Sequence, residues 1–547
     1  MTTNIAGISP DRLRDWLRDG AELALLDARE EESFSRSHLL HAANLPLSRL
    51  EALAPRLLPR LSVRIVLTDG GEGVARRAAQ RLREFGYGDV SLLDGGNRAW
   101  AEAGYPLYAG VHVPSKAFAE VVEHEWGTPS ITAEDFAGRR ARGERIVLVD
   151  ARPYEEHHHH TVPGSTFVPG AELPLRIADL VHDPEELVVV HCGGRTRSII
   201  GAQALISAGL PNRVVSLKDG TMAWALAGRD LAIGAEGHPP PTISPKARQF
   251  AAAAGARVAA EAGVRSLSRR DLQAWQAEAG ERSLYLFDVR TPAEYNEGHL
   301  PGSLSAPGGQ LVQETDRFIA VLGARIVLID DAGLGRARLT AFWLKQLGHA
   351  DVVVLDGGLG DGALETGPGA PRVLGLSRLE DEDIERISPQ RLLALLGDRG
   401  VEVIDLALSK THRAGHVPGA HFAIRARLAD HLPEGAETLV LTSEDGSWAR
   451  LAAADLRAAG VAGVPGRPRL LLLGGGHQAW VAAGQPVEKG IPRPLDLVDD
   501  VWLTPRERPG DTNRHMIDYL DWEVKLLGQL NRDPDNRFRL LRQPAVA

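Results

Sequence analysis

A pattern of three landmarks occurs four times, in the same order, along the 547 residues of the chain. Each copy opens with a short apolar run that ends in aspartate. A second apolar run follows, then a polar loop and a helical pattern closed by glycine. A third apolar run precedes a glycine turn. Because strand-like runs alternate with helical patterns, each copy is predicted to be an α/β unit, with a mostly parallel sheet flanked by helices on both faces.

The repeats divide the chain into four predicted tandem domains, at residues 5–110, 111–236, 266–370 and 371–490. A linker with an alanine-rich helix is expected at 237–265, because its run of prolines forms a stiff break. Residues 491–547 do not follow the repeat and are expected to form a partly helical C-terminal tail. Its large apolar residues predict packing on the body or on a second copy, which would make a homo-oligomer.

The only cysteine of the chain, Cys192, lies in the second copy, where a strand pattern stops and a helix pattern starts. Gly193 and Gly194 follow it, so backbone N–H groups can turn inward without Cβ clashes. These amides and the helix N-terminus favour negative charge, and Arg195 and Arg197 add positive charge. We therefore expect a lowered thiol pKa and a nucleophilic thiolate, rather than a buried structural cysteine.

The other three copies carry different residues at this place. Counting back 17 positions from the glycine that closes the helical pattern gives Asp69, Asp331 and Ser443, as it gives Cys192 in the second copy. The sequence thus predicts one working loop and three inactive copies. Asp150 and Arg152 have counterparts in copies without the cysteine, so we expect them to form a structural ion pair that supports the end of the sheet.

Composition excludes several classes of function. A formal net charge of −10 gives no indication of a nucleic-acid or anionic-membrane partner, and no apolar run is long enough to cross a bilayer. A single cysteine excludes internal disulfides and is suited to the cytoplasm, where we expect the protein. No cofactor or metal motif is found. The run His157-His158-His159-His160 is expected to be a surface loop rather than a metal site.

Taken together, the landmarks resemble those of the rhodanese sulfurtransferase family. They are Asp-x-Arg at a strand end, the His-x-Pro-Gly turn of residues 299–302 and 416–419, the cysteine loop, and a late Asp-Gly-Gly that is often followed by tryptophan. The resemblance covers most of residues 5–490 as four tandem rhodanese-like domains. It implies that Cys192 takes a sulfane sulfur from a small anionic donor such as thiosulfate, becomes a persulfide, and passes the sulfur to a thiol or cyanide.

The resemblance and the loop chemistry together assign the site residues. Inward amides would stabilise the persulfide, an arginine would hold sulfonate oxygens, and hydroxyls would donate to the sulfur or cap the helix. The expected substrate-binding residues are Gly193, Gly194, Arg195, Thr196, Arg197, Ser198 and, from the segment before the catalytic strand, Arg176.

Two other functions stay open at this point. Cysteine phosphatases of the related class place five residues between cysteine and arginine, whereas four residues separate Cys192 from Arg197. The shorter loop encloses a smaller volume, which favours sulfur over phosphate. Alternatively, the chain is a non-catalytic sulfur carrier or scaffold, whose cysteine-free domains are docking modules.

Overall fold

The computed structural model describes residues 5–360, 362–369, 372–379 and 384–541. It contains four parallel sheets with helices on both faces, one sheet for each repeat, so the predicted tandem α/β fold is confirmed. The boundary predicted between residues 370 and 371 lies outside the described residues, and the other domain limits stay predictions.

In the first repeat the strands follow the spatial order β1-β5-β4-β2, and β3 pairs with β2. The strands are β1 (Ala6–Ile8), β2 (Leu23–Asp27), β3 (Ala43–Asn44), β4 (Ile65–Thr68) and β5 (Val90–Leu93). The helices are α1 (Pro10–Arg18), α2 (Glu31–Arg36), α3 (Leu50–Leu57), α4 (Val74–Glu84) and α5 (Gly96–Glu102).

The second repeat is preceded by α6 (Val113–Trp126), and its sheet has the order β6-β10-β9-β7-β8. The strands are β6 (Ser130–Ile131), β7 (Ile146–Asp150), β8 (Thr166–Phe167), β9 (Leu187–His191) and β10 (Val214–Leu217). The helices are α7 (Ala133–Ala141), α8 (Tyr154–His159), α9 (Leu173–Leu180), α10 (Thr196–Ser207) and α11 (Gly220–Leu226).

The linker helix α12 (Pro245–Glu261) leads into the third repeat, whose sheet has the order β11-β16-β15-β12-β13. The strands are β11 (Arg265–Leu267), β12 (Leu284–Asp288), β13 (Leu304–Ser305), β14 (Val321–Leu322), β15 (Arg325–Ile329) and β16 (Val352–Leu355). The helices are α13 (Arg269–Ala277), α14 (Pro292–Glu297), α15 (Gly308–Gln313), α16 (Thr315–Phe318) and α17 (Gly335–Gln346).

The sheet of the fourth repeat has the order β17-β21-β20-β18-β19. Its strands are β17 (Glu385–Ile387), β18 (Val401–Asp405), β19 (His421–Phe422), β20 (Thr438–Thr442) and β21 (Arg469–Leu473). Its helices are α18 (Pro389–Leu395), α19 (Ser409–Ala414), α20 (Ser447–Ala458) and α21 (Gly476–Ala482), and the tail adds α22 (Thr512–Leu530). In the described ranges, no helix combines the length and apolar character needed to span a membrane.

Each sheet is apolar on both faces, which explains why its strands are continuous apolar runs in the sequence. In β9, Val189 packs with Phe136 and Trp224 on one face, whereas Val188 and Val190 belong to a separate cluster on the other face. Side chains alternate between faces along a strand, so a run of valines fills both clusters. This packing fixes the end of β9, and hence Cys192, in the middle of the sheet.

The repeats pack against one another through a pair of antiparallel strands and through buried ion pairs. Strand β14 of the third repeat pairs antiparallel with β2 of the first. Arg336 of the third repeat lies 2.8 Å from Glu172 of the second, and Arg425 of the fourth lies 2.6 Å from Glu51 of the first. The Arg336 pair thus joins the third repeat to the one that carries Cys192, and the other two contacts join the third and fourth repeats to the first.

The tail packs on the body of its own chain. Its buried residues Met516 and Leu526 face inward, and the Tyr108 hydroxyl of the first repeat donates to Asp533 at 2.8 Å. Ile517 and Val524, on the same helix, are exposed. A homo-oligomer formed through the tail stays a prediction.

Removal of Arg425 tests the ion pair between the first and fourth repeats. Glu51 is 1% exposed and receives two hydrogen bonds from Arg425, at 2.6 and 2.8 Å. Arg425→Ala leaves that carboxylate buried without its main partner, which costs about 3–5 kcal/mol. We expect a lower midpoint of thermal unfolding, recovered in part by adding Glu51→Gln.

Arg514→Ala is the matched control, because Arg514 pairs with Asp518 on an exposed face of α22. An exposed pair contributes about 0–1 kcal/mol. An equal decrease of the unfolding midpoint in the two arginine variants would contradict the conclusion that Arg425 stabilises the interface between the first and fourth repeats.

Candidate functional site

Cys192 directly follows β9, at the carboxyl end of the middle strand of its sheet, and precedes α10. Ligands of parallel sheets bind at this edge. The carbonyl of Cys192 accepts the N–H of Thr221 at 2.9 Å, which holds the loop against the start of α11. A Cβ on Gly220 would lie 2.2 Å from that carbonyl oxygen, so this close approach requires glycine.

The thiol is buried, with Cys192 only 2% exposed, and lies 3.7 Å from the hydroxyl oxygen of Ser198. Burial raises the pKa of the Cys192 thiol above its ordinary value. The charge of Arg197 and hydrogen bonds from Ser198 act in the opposite direction, and the nearby Glu523 adds to the rise. The expected lowering of the thiol pKa is therefore wrong for this closed arrangement, because loss of water outweighs the attraction of the loop.

Two of the cysteine-free copies show what the backbone amides at this place can bind. Asp69 in the first repeat accepts the backbone N–H of Ala75, in the first turn of α4, at 2.9 Å. Asp330 in the third repeat accepts the N–H of Ala337, in the first turn of α17, at 3.0 Å. In two copies the amides after the strand thus bind a carboxylate. Cys192 occupies the corresponding place in the second repeat, directly after the middle strand.

The structure corrects the residue assigned to this place in the third repeat. Asp150 pairs with His191 in the second sheet, and Asp288 pairs with Ile329 in the third. The next residue is Cys192 in one case and Asp330, not Asp331, in the other. The loop before α17 spans residues 330–334, one residue more than the loop 192–195 before α10. Counting back from the closing glycine therefore gave a position one residue too late.

Arg195 is paired away from the sulfur. Its guanidinium contacts Glu120 at 2.7 Å, Asp219 at 2.8 Å, and Glu123. Two of these partners lie on α6, which precedes the second sheet. The network fixes the loop to α6 and to the start of α11, so it anchors Cys192 without presenting a free cation to a donor.

Arg197 lies in the first turn of α10 and makes two parallel hydrogen bonds to Glu156, at 2.6 and 2.8 Å. Its positive charge lowers the pKa of the Cys192 thiol, in opposition to the rise that burial causes. Arg176 has other partners: it donates to the carbonyl of Pro240 at 3.0 Å and lies 3.7 Å from Glu172. These contacts direct Arg176 toward the linker.

The remaining loop residues form hydrogen bonds within the loop and to the tail. Ser198 donates from its hydroxyl to the carbonyl of Arg195 at 2.7 Å, and Thr196 donates to Glu523 at 3.1 Å. The Gly193 carbonyl accepts the N–H of Met222 at 3.1 Å. Gly194 lies under the tail, where an added Cβ would come within 3.0 Å of Glu523 Oε2.

Asp150 and Arg152 form a buried pair one strand away, with Nη2 of Arg152 2.7 Å from Oδ2 of Asp150. His191, His157 and Arg152 hold the pKa of Asp150 well below its usual range despite burial. The same arrangement occurs at the strand ends of the first and third repeats, in the pairs Asp27–Arg29 and Asp288–Arg290.

The histidine run is helical rather than a surface loop. His157, His158 and His159 close α8, and His157 is fully buried, with Nδ1 3.1 Å from Asp150 Oδ2. The prediction of a loop is wrong because one histidine fills the space beside the strand-end aspartate. Over the part of the chain that the structure describes, no group of His, Cys, Asp and Glu is placed to hold a metal ion.

The sequence reasoning missed the residues that cover the loop. Glu523 and Tyr519 on α22 and Lys116 on α6 are all buried or half-buried beside it. Burial raises the pKa of Glu523 to about 7 and lowers the pKa of Lys116 to about 8. A signal was present: Glu523 follows Tyr519 by one helical turn, on the same side as Met516, so a carboxyl lies in the apolar stripe of the tail.

Comparison with known proteins agrees with this architecture. The family model described as "Rhodanese-like domain" matches residues 9–103, 132–227 and 268–363. Together these matches cover more than half of the chain. The fourth sheet lies outside them and has the same strand order as the second and third.

Curated relatives match single parts of the chain. The "HTH-type transcriptional regulator Rv0324" of Mycobacterium tuberculosis is 36% identical over 111 residues, which are 20% of this chain and 48% of that protein. A protein named "Sulfurtransferase" from Allochromatium vinosum is 31% identical over 98 residues, which are 18% of this chain and 89% of that protein. The chain thus spans about half the length of the first of these relatives.

One solved structure matches nearly the whole chain. The crystal structure of a thiosulfate sulfurtransferase from Pseudomonas aeruginosa is 44% identical, with a TM-score of 0.92, and the match covers 98% of this chain and 100% of that one. Together with the family matches and the four sheets, this similarity shows that the chain belongs to the rhodanese-like family of sulfurtransferases, as a multidomain member.

Proposed function

We propose that the protein moves a sulfane sulfur from a small anionic donor such as thiosulfate to a thiol or to cyanide, through a persulfide on Cys192. One observation carries the proposal. Directly after the middle strand, where backbone amides hold the carboxylates of Asp69 and Asp330, the second repeat holds the thiol of Cys192. Amides that favour an anion at this place offset part of the cost of burying a thiolate, and of burying the persulfide anion that replaces it.

The first half of the reaction forms the persulfide. The Cys192 thiolate attacks the outer sulfur of thiosulfate, a new S–S bond forms, and the S–S bond of the donor breaks. Sulfite leaves with the electron pair of that bond. The backbone of Ser198 and the charge of Arg197, which favour the thiolate, would stabilise the persulfide anion in the same way.

The second half regenerates the enzyme. An acceptor thiolate, or cyanide, attacks the outer sulfur of the persulfide, and the electron pair of the broken S–S bond returns to Cys192. No cofactor takes part in this scheme. A nucleophile that is a free thiol is suited to a reducing cytoplasm, which is where we place the protein.

The loop residues then take different roles. Arg197 is the proposed contact for the sulfonate oxygens of the donor, because its charge acts on the sulfur and it exchanges one anionic partner, Glu156, for another. Arg195 positions the loop through its three carboxylate partners. Arg176 is left out of the proposed site, since its contacts are with the linker and with Glu172.

Replacement of the nucleophile gives the first test. With thiosulfate, wild-type protein should gain the mass of one sulfur atom on Cys192, read by mass spectrometry, and should produce sulfite. Cys192→Ser should lose both. Ser443→Ala is the matched control: Ser443 occupies the corresponding place in the fourth repeat, where it accepts the N–H of Gly446 at 3.1 Å. This variant should keep both.

The outcomes also separate the other functions. Hydrolysis of an aryl phosphate that depends on Cys192, without sulfur uptake, would identify a phosphatase and overturn the proposal. A protein that takes up no sulfur from any donor, and whose cellular role survives Cys192→Ser, would be a scaffold.

The pH dependence of alkylation gives the second test. Because burial raises the thiol pKa, the thiolate fraction at neutral pH is small. The rate of alkylation by iodoacetamide should rise about tenfold per pH unit and level off at a higher pH than in the unfolded chain, where a thiol titrates at about pH 8.5. A native rate that levels off below the unfolded one would contradict the closed site described above.

A further inference from the structure

The tail brings an acidic side chain onto the cysteine loop. Glu523, on α22, is 1% exposed, and its Oε1 accepts hydrogen bonds from the hydroxyls of Thr196 and Tyr519, each at 3.1 Å. Its Oε2 is buried and has no hydrogen-bond partner within the described residues. A Cβ built on Gly194 would meet this oxygen at 3.0 Å. An unsatisfied carboxyl oxygen therefore faces the backbone of the loop, two residues from Cys192.

Charged groups surround Glu523 on every side that packs against it. Lys116 and Glu120 act on it from α6, Arg195 from the loop, and Tyr519 from its own helix. Lys116 is 4% exposed, and its ammonium lies 5.0–5.3 Å from the ring centres of Trp502, Tyr519 and Trp522. The rings hold the lysine close to the carboxyl.

The charge of Glu523 affects the binding of any anion that approaches the sulfur of Cys192. A carboxylate in this buried place repels a dianion strongly, since water does not screen the interaction. A neutral carboxyl group instead offers an O–H donor from the oxygen that now lacks a partner. Burial raises the pKa of Glu523 to about 7, so both forms are present near neutral pH.

We propose that Glu523 is a specificity-determining residue that selects sulfur donors by their charge. When Glu523 is a neutral acid, it donates a hydrogen bond to an anionic donor and lets that donor reach Cys192. When Glu523 is a carboxylate, it excludes the anionic donor. This inference rests on the proposed sulfur transfer. The attack of a thiolate on thiosulfate gives a persulfide anion and the sulfite dianion, so a monoanion on Cys192 and a small dianion face Glu523 both before and after the step. The charge of Glu523 therefore acts on donor binding rather than on bond exchange.

The test compares two donors on the same protein. Initial rates of Cys192 modification are measured by mass spectrometry with thiosulfate, a dianion, and with an uncharged dialkyl trisulfide, from pH 6 to pH 7.5. Thiosulfate leaves a persulfide on Cys192 and releases sulfite, whereas attack on a terminal sulfur of the trisulfide leaves an S-alkyl disulfide on Cys192 and releases an alkyl persulfide anion. The ratio of the two rates cancels the ionisation of the Cys192 thiol, which both reactions need. Staying below pH 8 keeps Lys116 mostly protonated.

In the wild-type protein the ratio of thiosulfate to trisulfide rates should fall about fourfold between pH 6 and pH 7.5, as Glu523 ionises. In Glu523→Gln, whose amide is neutral and still donates, the ratio should stay constant and equal the wild-type value at pH 6. Asp521→Asn is the matched control, because it removes an exposed carboxylate from the same helix and should keep the wild-type profile.

The outcomes distinguish this inference from the proposed function. A wild-type ratio that does not change with pH, or a Glu523→Gln variant that keeps the wild-type fall, overturns the role of Glu523 while sulfur transfer stands. Absence of persulfide on Cys192 with thiosulfate, while the trisulfide still modifies the thiol, overturns the sulfur transfer itself. The wild-type profile needs no variant, so a variant that fails to fold leaves the test decisive.

Discussion

Backbone amides at the start of a helix point at one side-chain position, directly after the middle strand of each sheet, and much of the molecule is arranged around what occupies it. In the first and third repeats a carboxylate receives those amides, from Asp69 and Asp330. In the second repeat the same place holds the sulfur of Cys192. In the fourth repeat Ser443 accepts the N–H of Gly446 at this place, so among the four positions the cysteine is found in the second repeat alone.

The cysteine-free repeats contribute contacts that support the repeat with Cys192. Arg336 reaches Glu172, which immediately precedes α9 of the second repeat, and Arg425 joins the fourth repeat to the first. Each of these side chains is buried together with its partner, so removing one charge alone takes a close partner away from a buried charge. The chain behaves as one framework in which the Cys192 loop is held from several directions.

Much of this organisation could be predicted from the sequence, because repeated apolar runs and glycine turns are local signals. The fold and the position of Cys192 between strand and helix followed from them. Asp331 was predicted in place of Asp330 because counting a fixed number of positions back from the closing glycine does not detect a loop that is longer by one residue. The thiol pKa was predicted in the wrong direction because the groups that bury the thiol come from distant segments: Thr196 and its partner Glu523 are 327 positions apart.

The residues of α22 that cover the Cys192 loop come much later in the chain than the loop itself, and this order has a consequence for biosynthesis. The ribosome completes the second repeat long before it reaches the tail, so the newly made loop has its amides and its thiol but lacks Glu523 and the aromatic rings around Lys116. Until then the thiol lacks this cover, and overoxidation of an accessible cysteine is irreversible. Because the contact between Thr196 and Glu523 joins residues 327 positions apart, the cover forms only after more than 300 further residues have been made.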